Sequence, residues 1–243
     1  MTISLAPEVV FRFGPLMITN SLYSAVIIVV ALLLLINSFA KSVNIFRPSK
    51  IQLAIEWIYG TLKNMTMGVL GKETDKYWAF LLTFFVFILF SNWFGLLPTT
   101  GNIGFWHEIE DKKELIPFFR APTSDISATM ALALISIVSV NVFGFRAHKF
   151  KFLKKYFDVS NPINFFVSIL ETISELGKVI SFTFRLFGNV FAGEVLLIVI
   201  SGISMGIATL PFYGLEIFIG FIQAFVFLML TTVFINLAIN THH

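Results

Sequence analysis

From Leu16 to Ile36 no side chain carries a charge. Coiled as an α-helix, that block reaches about 31 Å, the thickness of the hydrocarbon core of a bilayer. Comparable blocks follow at Tyr77–Leu97 and Ile126–Phe145, and the chain from Ile163 onward is almost entirely apolar. Backbone groups inside lipid have no water to bond, so such segments must be helical. The class expected is therefore an all-α polytopic membrane protein with about five to six membrane helices. Composition agrees: charged residues make up 13% of the 243, against about 25% in soluble domains, and Phe alone supplies 30. Disordered, collagen-like and nucleic-acid-binding chains are excluded, so the lipid bilayer, and no nucleic acid, is expected as a partner. With no cysteine, disulfide frameworks, thiolate metal sites and cysteine nucleophiles fall together. Neither a metal nor an organic cofactor is expected.

The blocks read as a single membrane domain over residues 1–243, with spans and loops to residue 160 and a helical hairpin over 161–243. The first block is longer than the apolar core of a signal peptide and lacks its cleavage pattern, so it is expected to stay in the mature protein. Between Ser49 and Leu70 the pattern changes. Ile51, Ile55, Ile58, Leu62, Met65 and Val69 alternate in steps of four and three, which lines them along one side of a helix, with Lys50, Glu56 and Lys63 off that line. An amphipathic helix in the headgroup region fits this, and a helix packed on neighbouring protein gives the same pattern. Tyr77, Trp78 and Trp93 sit where interfacial aromatics are expected, at the ends of the second span. Gly101–Pro122 reads as a polar loop of balanced charge.

Basic residues set the orientation. Lys41, Arg47, Lys50, Lys63, Lys72 and Lys76 lie between the first two spans, and Arg146, Lys149, Lys151, Lys154 and Lys155 follow the third. Only Lys112, Lys113 and Arg120 lie between the second and third. The positive-inside rule then puts residues 41–76 and 146–162 in the cytoplasm, the N-terminus outside and the C-terminus inside. Ile163 to about Leu210, 48 residues, would extend about 72 Å as one helix, more than twice the hydrocarbon core. It must be steeply tilted and bent, or lie partly in the membrane plane. A break at Ser201–Gly206 leads to a last helix, Pro211–Asn240.

Apart from Asp158 and the terminal histidines, the acids and bases after Lys155 are Glu171, Glu175, Lys178, Arg185, Glu194 and Glu216, each in apolar sequence. A charge at mid-membrane costs at least about 2.5–3.5 kcal/mol, so such residues usually mark ion pathways. Internal ion pairing that only holds helices together is the structural alternative. It serves Glu171, Glu175 and Lys178 at least as well, as a paired network near the inner surface. At 100° per residue Glu171, Lys178 and Arg185 form one drifting stripe, with Asn189 four residues on, while Glu194 lies half a turn round from Arg185. Arg185 is the leading candidate. A guanidinium never gives up its proton, so it can attract a carboxylate without relaying protons itself. At an effective dielectric of about 20, a carboxylate about 4 Å away gains roughly 4 kcal/mol, or about three powers of ten in acid dissociation. Glu216 and Gln223 share a face of the last helix, with no Lys or Arg after Arg185. Carboxyls with nearby water relay protons.

The run Arg185-Leu186-Phe187-Gly188-Asn189, continuing to Glu194, resembles the signature of subunit a of F-type ATP synthases, the stator proton channel of the membrane sector. Gln223-Ala224-Phe225-Val226-Phe227 is similar to that family's last-helix motif, and Asn92–Pro98 and Thr123–Asp125 are similar to further family segments. The resemblance is ordered from about Ile18 to Ile239. It implies that Arg185 is the stator arginine facing each rotor carboxylate, and that Glu194 and Glu216 belong to the outer half-channel. It implies further that Gln223 and Asn189 stand beside the arginine, that Glu171 and Ser181 belong to the inner half-channel, and that Asp125 belongs to the outer access. The chain departs from the family in holding two glutamates where one position is often histidine, and Val179 where proline is common. The implied partners are a rotor ring of c subunits, peripheral-stalk b subunits and the rest of the synthase. ATP chemistry would lie on other subunits, with this chain a non-catalytic channel in a bacterial inner membrane or, alternatively, a mitochondrial one. A proton- or sodium-coupled secondary transporter is the competing class, and it predicts internal inverted repeats, which are not visible here.

Overall fold

The computed structural model describes residues 9–13, 16–97, 104–109, 112–150, 152, 156, 161–204 and 209–240. Among the described residues six long helices carry the fold: α1 (Asn20–Ser42), α2 (Lys50–Leu70), α3 (Thr74–Gly95), α4 (Ile126–His148), α5 (Pro162–Ser204) and α6 (Thr209–Asn240). Lys50–Gly95 is long and apolar enough to cross a membrane, as are α1, α4, α6 and Pro162–Ile203 of α5. The described residues outside the helices include two short antiparallel hairpins, β1 (Val9–Phe13) with β2 (Leu16–Thr19) and β3 (Gly104–Ile109) with β4 (Lys112–Pro117).

Several boundaries differ from the hydropathy reading. The first helix starts at Asn20, because Leu16–Thr19 pairs with β1 and the Thr19 hydroxyl then accepts from Leu22 N at 3.3 Å as an N-cap. The loop over Gly101–Pro122 contains the second hairpin and leads into a 3-10 turn, Pro122–Ser124. The third span runs on to His148, where Lys149 adopts φ +53 and ends it. Thr209 and Leu210 belong to the last helix, whose first turn tolerates Pro211 because those N–H groups lack helical partners anyway. Of the expected break at Ser201–Gly206, residues 205 and 206 lie outside the described set, as do Lys151, Lys154 and Lys155 of the basic cluster.

The core is an α3–α6 pair with α4 packed on α5 and α6. Leu81, Ile88, Leu186, Leu228 and Ile235 are fully buried there. Phenylalanines knit the layers: Phe84 stacks on Phe227, and Phe182 lies between Phe227 at 4.7 Å and Phe234 at 5.6 Å. Ser136 and Thr231 hydrogen-bond across α4 and α6 at 3.1 Å, the kind of polar link that substitutes for a hydrophobic drive between membrane helices. In α2, Leu62, Thr66 and Leu70 are buried, whereas Ile51, Ile55, Ile58 and Met65 of the predicted apolar line remain exposed.

Candidate functional site

At 43 residues, α5 is about 65 Å long, twice the hydrocarbon thickness. Its packed side carries Ser168, Phe182, Thr183 and Leu186. The opposite side leaves Ile173, Leu176, Ile180 and Phe184 open, each 57% exposed or more. Arg185 stands between the two, half-buried. Its Nη2 donates to Ser181 Oγ at 3.1 Å, and its guanidinium carbon lies 5.8 Å from the Phe182 ring centre, within cation–π range. Among the described residues no carboxylate forms an ion pair with it. The cation is held by its own helix beside an apolar face with its charge unmatched by any described acid.

One turn further on, Asn189 Nδ2 donates to Gln223 Oε1 at 2.7 Å, tying α5 to α6. That pair borders a cleft of about 20 Å³, room for about one water, lined in part by Glu194, Glu216, Asn92 and Gly95. Glu216 is 7% exposed, and its carboxylate rests on the α5 backbone at Gly193, where a Cβ would come within 2.2 Å of it. Glu194 Oε1 approaches Gly95 of α3, and its electrostatic neighbours are Arg120, Ser124 and Glu216. Arg120 in turn donates from Nε to Ser124 Oγ at 3.1 Å. A carboxylate from each of α5 and α6 thus shares one small polar space with Asn189 and Gln223, about one helical turn along α5 from Arg185.

Asn92, 5% exposed, donates from Nδ2 to Gly220 O at 3.1 Å, and its buried Oδ1 has no protein partner. Asp125 is elsewhere. It is buried as the N-cap of α4, accepting from Ser127 N at 2.9 Å and from Ser21 Oγ of α1 at 2.5 Å. At the other end of α5, Lys178 Nζ lies 2.6 Å from Glu175 Oε1 and 5.0 Å from the Phe234 ring centre. Asn141 of α4 donates to Glu175 Oε2 at 3.3 Å and accepts from the Tyr156 hydroxyl at 2.7 Å. Burial, reinforced by the negative charges of Glu175 and Glu171, pushes the Tyr156 phenol well above its ordinary value.

The structure therefore gathers Asn189, Glu194, Glu216 and Gln223 at one cleft and leaves Arg185 and Ser181 just beyond it. Glu171 goes to the Tyr156–Glu175 cluster, and Asp125 to the α1–α4 junction. Asn92, Ser124 and Gly193 lie within the motif segments but are not named there as site residues, and Arg120 reads from sequence only as a loop charge. Asn92, an amide within an apolar span, also carries a physical signal of its own.

Membrane-crossing helices with acids and a guanidinium set within them define a polytopic membrane protein of the charge-translocating class. The family model described as ATP synthase A chain matches residues 21–236. The chain is 32% identical to "ATP synthase subunit a" of Pelagibacter ubique, over 96% of this chain and 96% of that protein. It is 31% identical to "ATP synthase subunit a 3" of Pelobacter propionicus, over 89% of this chain and 86% of that one. It is also 32% identical to "ATP synthase subunit a" of Rhodospirillum rubrum, over 80% and 78%. The chain belongs to the ATP synthase A chain family, which makes it an integral inner-membrane component of the synthase's membrane sector, concerned with proton transport.

Proposed function

We propose that this chain is the stator half of a rotary proton path, in which two offset half-channels serve the carboxylates of a rotor ring and Arg185 keeps them apart. The observation that carries this is the arrangement of acids, amides and a cation along α5 and α6. Asn189, Glu194, Glu216 and Gln223 line a water-sized cleft, and about one turn along the helix stands a guanidinium that forms no ion pair with any described acid. Protons from the outer side pass Glu194 and Glu216 and protonate a ring acid beside Asn189 and Gln223. The neutral acid then travels through lipid with the ring. On returning, it meets the field of Arg185, which favours ionisation, and its proton leaves past Ser181 and Glu171. Arg185 cannot pass protons itself, so no direct leak joins the two routes.

The open line Ile173, Leu176, Ile180 and Phe184 offers the apolar surface along which a ring of c-subunit helices would slide. Peripheral-stalk b subunits would cover other lipid-level faces, and Asp125 would serve the outer access through the α1 contact. The N-terminus would face outward and the C-terminus the cytoplasm, within one membrane domain. Replacement of Arg185 tests the scheme. Arg185→Ala should assemble normally and abolish proton-driven ATP synthesis in vesicles, and retained synthesis would overturn the scheme.

A further inference from the structure

The turn between α1 and α2 is built as a rigid elbow that holds two large apolar side chains outward. Asn44 Oδ1 accepts from Phe46 N at 3.0 Å and Arg47 N at 3.2 Å. Buried Gln52 closes the turn, accepting from Asn44 N at 3.1 Å and donating to Asn44 O at 3.4 Å. Ser49 caps α2 by accepting from Gln52 N at 3.2 Å. The result leaves Ile45 87% and Phe46 94% exposed, with Trp57 at 72%. A soluble turn with this much internal bonding would turn such side chains inward, since each exposed large apolar residue forfeits about 1.5–3 kcal/mol of burial.

The position decides what covers them. With 23 residues, α1 extends about 34 Å, so its C-terminal end and the elbow fall at the rim of a ~30 Å hydrocarbon core. Lys41, Arg47 and Lys50 flank the apolar pair in sequence, all exposed, and among the described residues none of them forms an ion pair. The acid nearest in sequence, Glu56, accepts from Gln52 Nε2 at 2.7 Å. Three cations flanking an apolar wedge at headgroup depth match an anionic leaflet, which attracts each nearby Lys or Arg. We propose that the α1–α2 elbow is a docking site for anionic phospholipid, with Ile45 and Phe46 inserted at the acyl boundary and Lys41, Arg47 and Lys50 on the phosphates. This is independent of the proton path.

The chain contains no cysteine, so Ile45→Cys gives a unique attachment point for a fluorophore. The full chain is reconstituted in phosphatidylcholine vesicles with a minor fraction of phosphatidylglycerol, one lipid or the other carrying a nitroxide quencher. Quenching by the labelled phosphatidylglycerol should exceed that by labelled phosphatidylcholine by about threefold or more at equal content. Lys41→Gln/Arg47→Gln/Lys50→Gln should bring the ratio to one, and Arg47→Gln or Lys50→Gln alone should lower it in steps. Those single variants keep the test informative if the triple variant inserts poorly. Equal quenching by both lipids in the parent chain, or an unchanged ratio in the variants, overturns the proposal. The same label in the whole synthase distinguishes a protein occupant: loss of quenching by either lipid there would mean that another subunit covers the elbow, and would equally overturn it.

Discussion

Gly193→Ala tests whether the Glu216 carboxyl works where the structure seats it. The added methyl would fall 2.2 Å from Oε2, 2.4 Å from Cδ and 2.6 Å from Oε1. Van der Waals contact begins near 3.4 Å, so the carboxyl must retreat by about 1.2 Å, into a cleft with room for only one water. Straining the side chain costs about 1 kcal/mol, which leaves the fold intact. Function should suffer more, because misplacing a transferring group by about 1 Å costs up to about a hundredfold. ATP-driven proton uptake by inverted vesicles, read with a quenched dye and normalised to assembled complex, should fall at least about tenfold. Glu216→Asp in the same background withdraws the carboxyl by one methylene and should recover part of the loss. A Gly193→Ala rate equal to the parent's, or a double variant no better than the single, would refute the assignment of Glu216 to the path.

Other outcomes follow from contacts already described. Glu216→Gln should slow proton uptake and change its pH profile; an unchanged profile removes Glu216 from the path. Asn189→Ala breaks the bond to Gln223, and since hydrogen bonds between membrane helices average about 0.6 kcal/mol, thermal stability should barely change while ATP synthesis drops. Glu175→Gln strands Lys178 in a site where the pair's side chains are only 14% and 23% exposed, and should destabilise the chain by about 1–3 kcal/mol, with Glu175→Gln/Lys178→Gln recovering much of it. The raised Tyr156 pKa adds stability that is fully present below pH 10.0, the ordinary phenol value, and is lost as pH climbs from there toward the native value. Tyr156→Phe should therefore flatten the alkaline decline in melting temperature.

How far the fold could be read in advance depended on which force set each feature. Helix existence follows from the absence of charge, a local property, so the spans at Leu16, Tyr77 and Ile126 were visible in outline. Their ends were not, because a hydroxyl cap at Thr19 and a strand pairing of Leu16–Thr19 look as apolar as a helix. Of the apolar line in α2 only Leu62 is buried, while Ile51, Ile55, Ile58 and Met65 are exposed, and Thr66 and Leu70, off the line, are buried beside it. Lipid and protein are both apolar neighbours, so periodicity separates neither from the other. The half-turn offset of Arg185 and Glu194 is an expectation from helical geometry alone. The seating of Glu216 on Gly193, the Asn189–Gln223 bond and the approach of Arg120 to Glu194 depend on how α5 meets α6 and the 117–125 segment, and no single-helix pattern encodes that register.

The most direct measurement is a density map of the assembled membrane sector that resolves this chain against its rotor. The Arg185 guanidinium should point across the Ile180–Phe184 face toward a rotor carboxylate, close enough for a direct or single-water contact, with separate water files reaching the cleft at Glu194 and Glu216 and the region of Ser181. A guanidinium turned to lipid, or bound to a carboxylate of its own chain and remote from the rotor, would contradict the account.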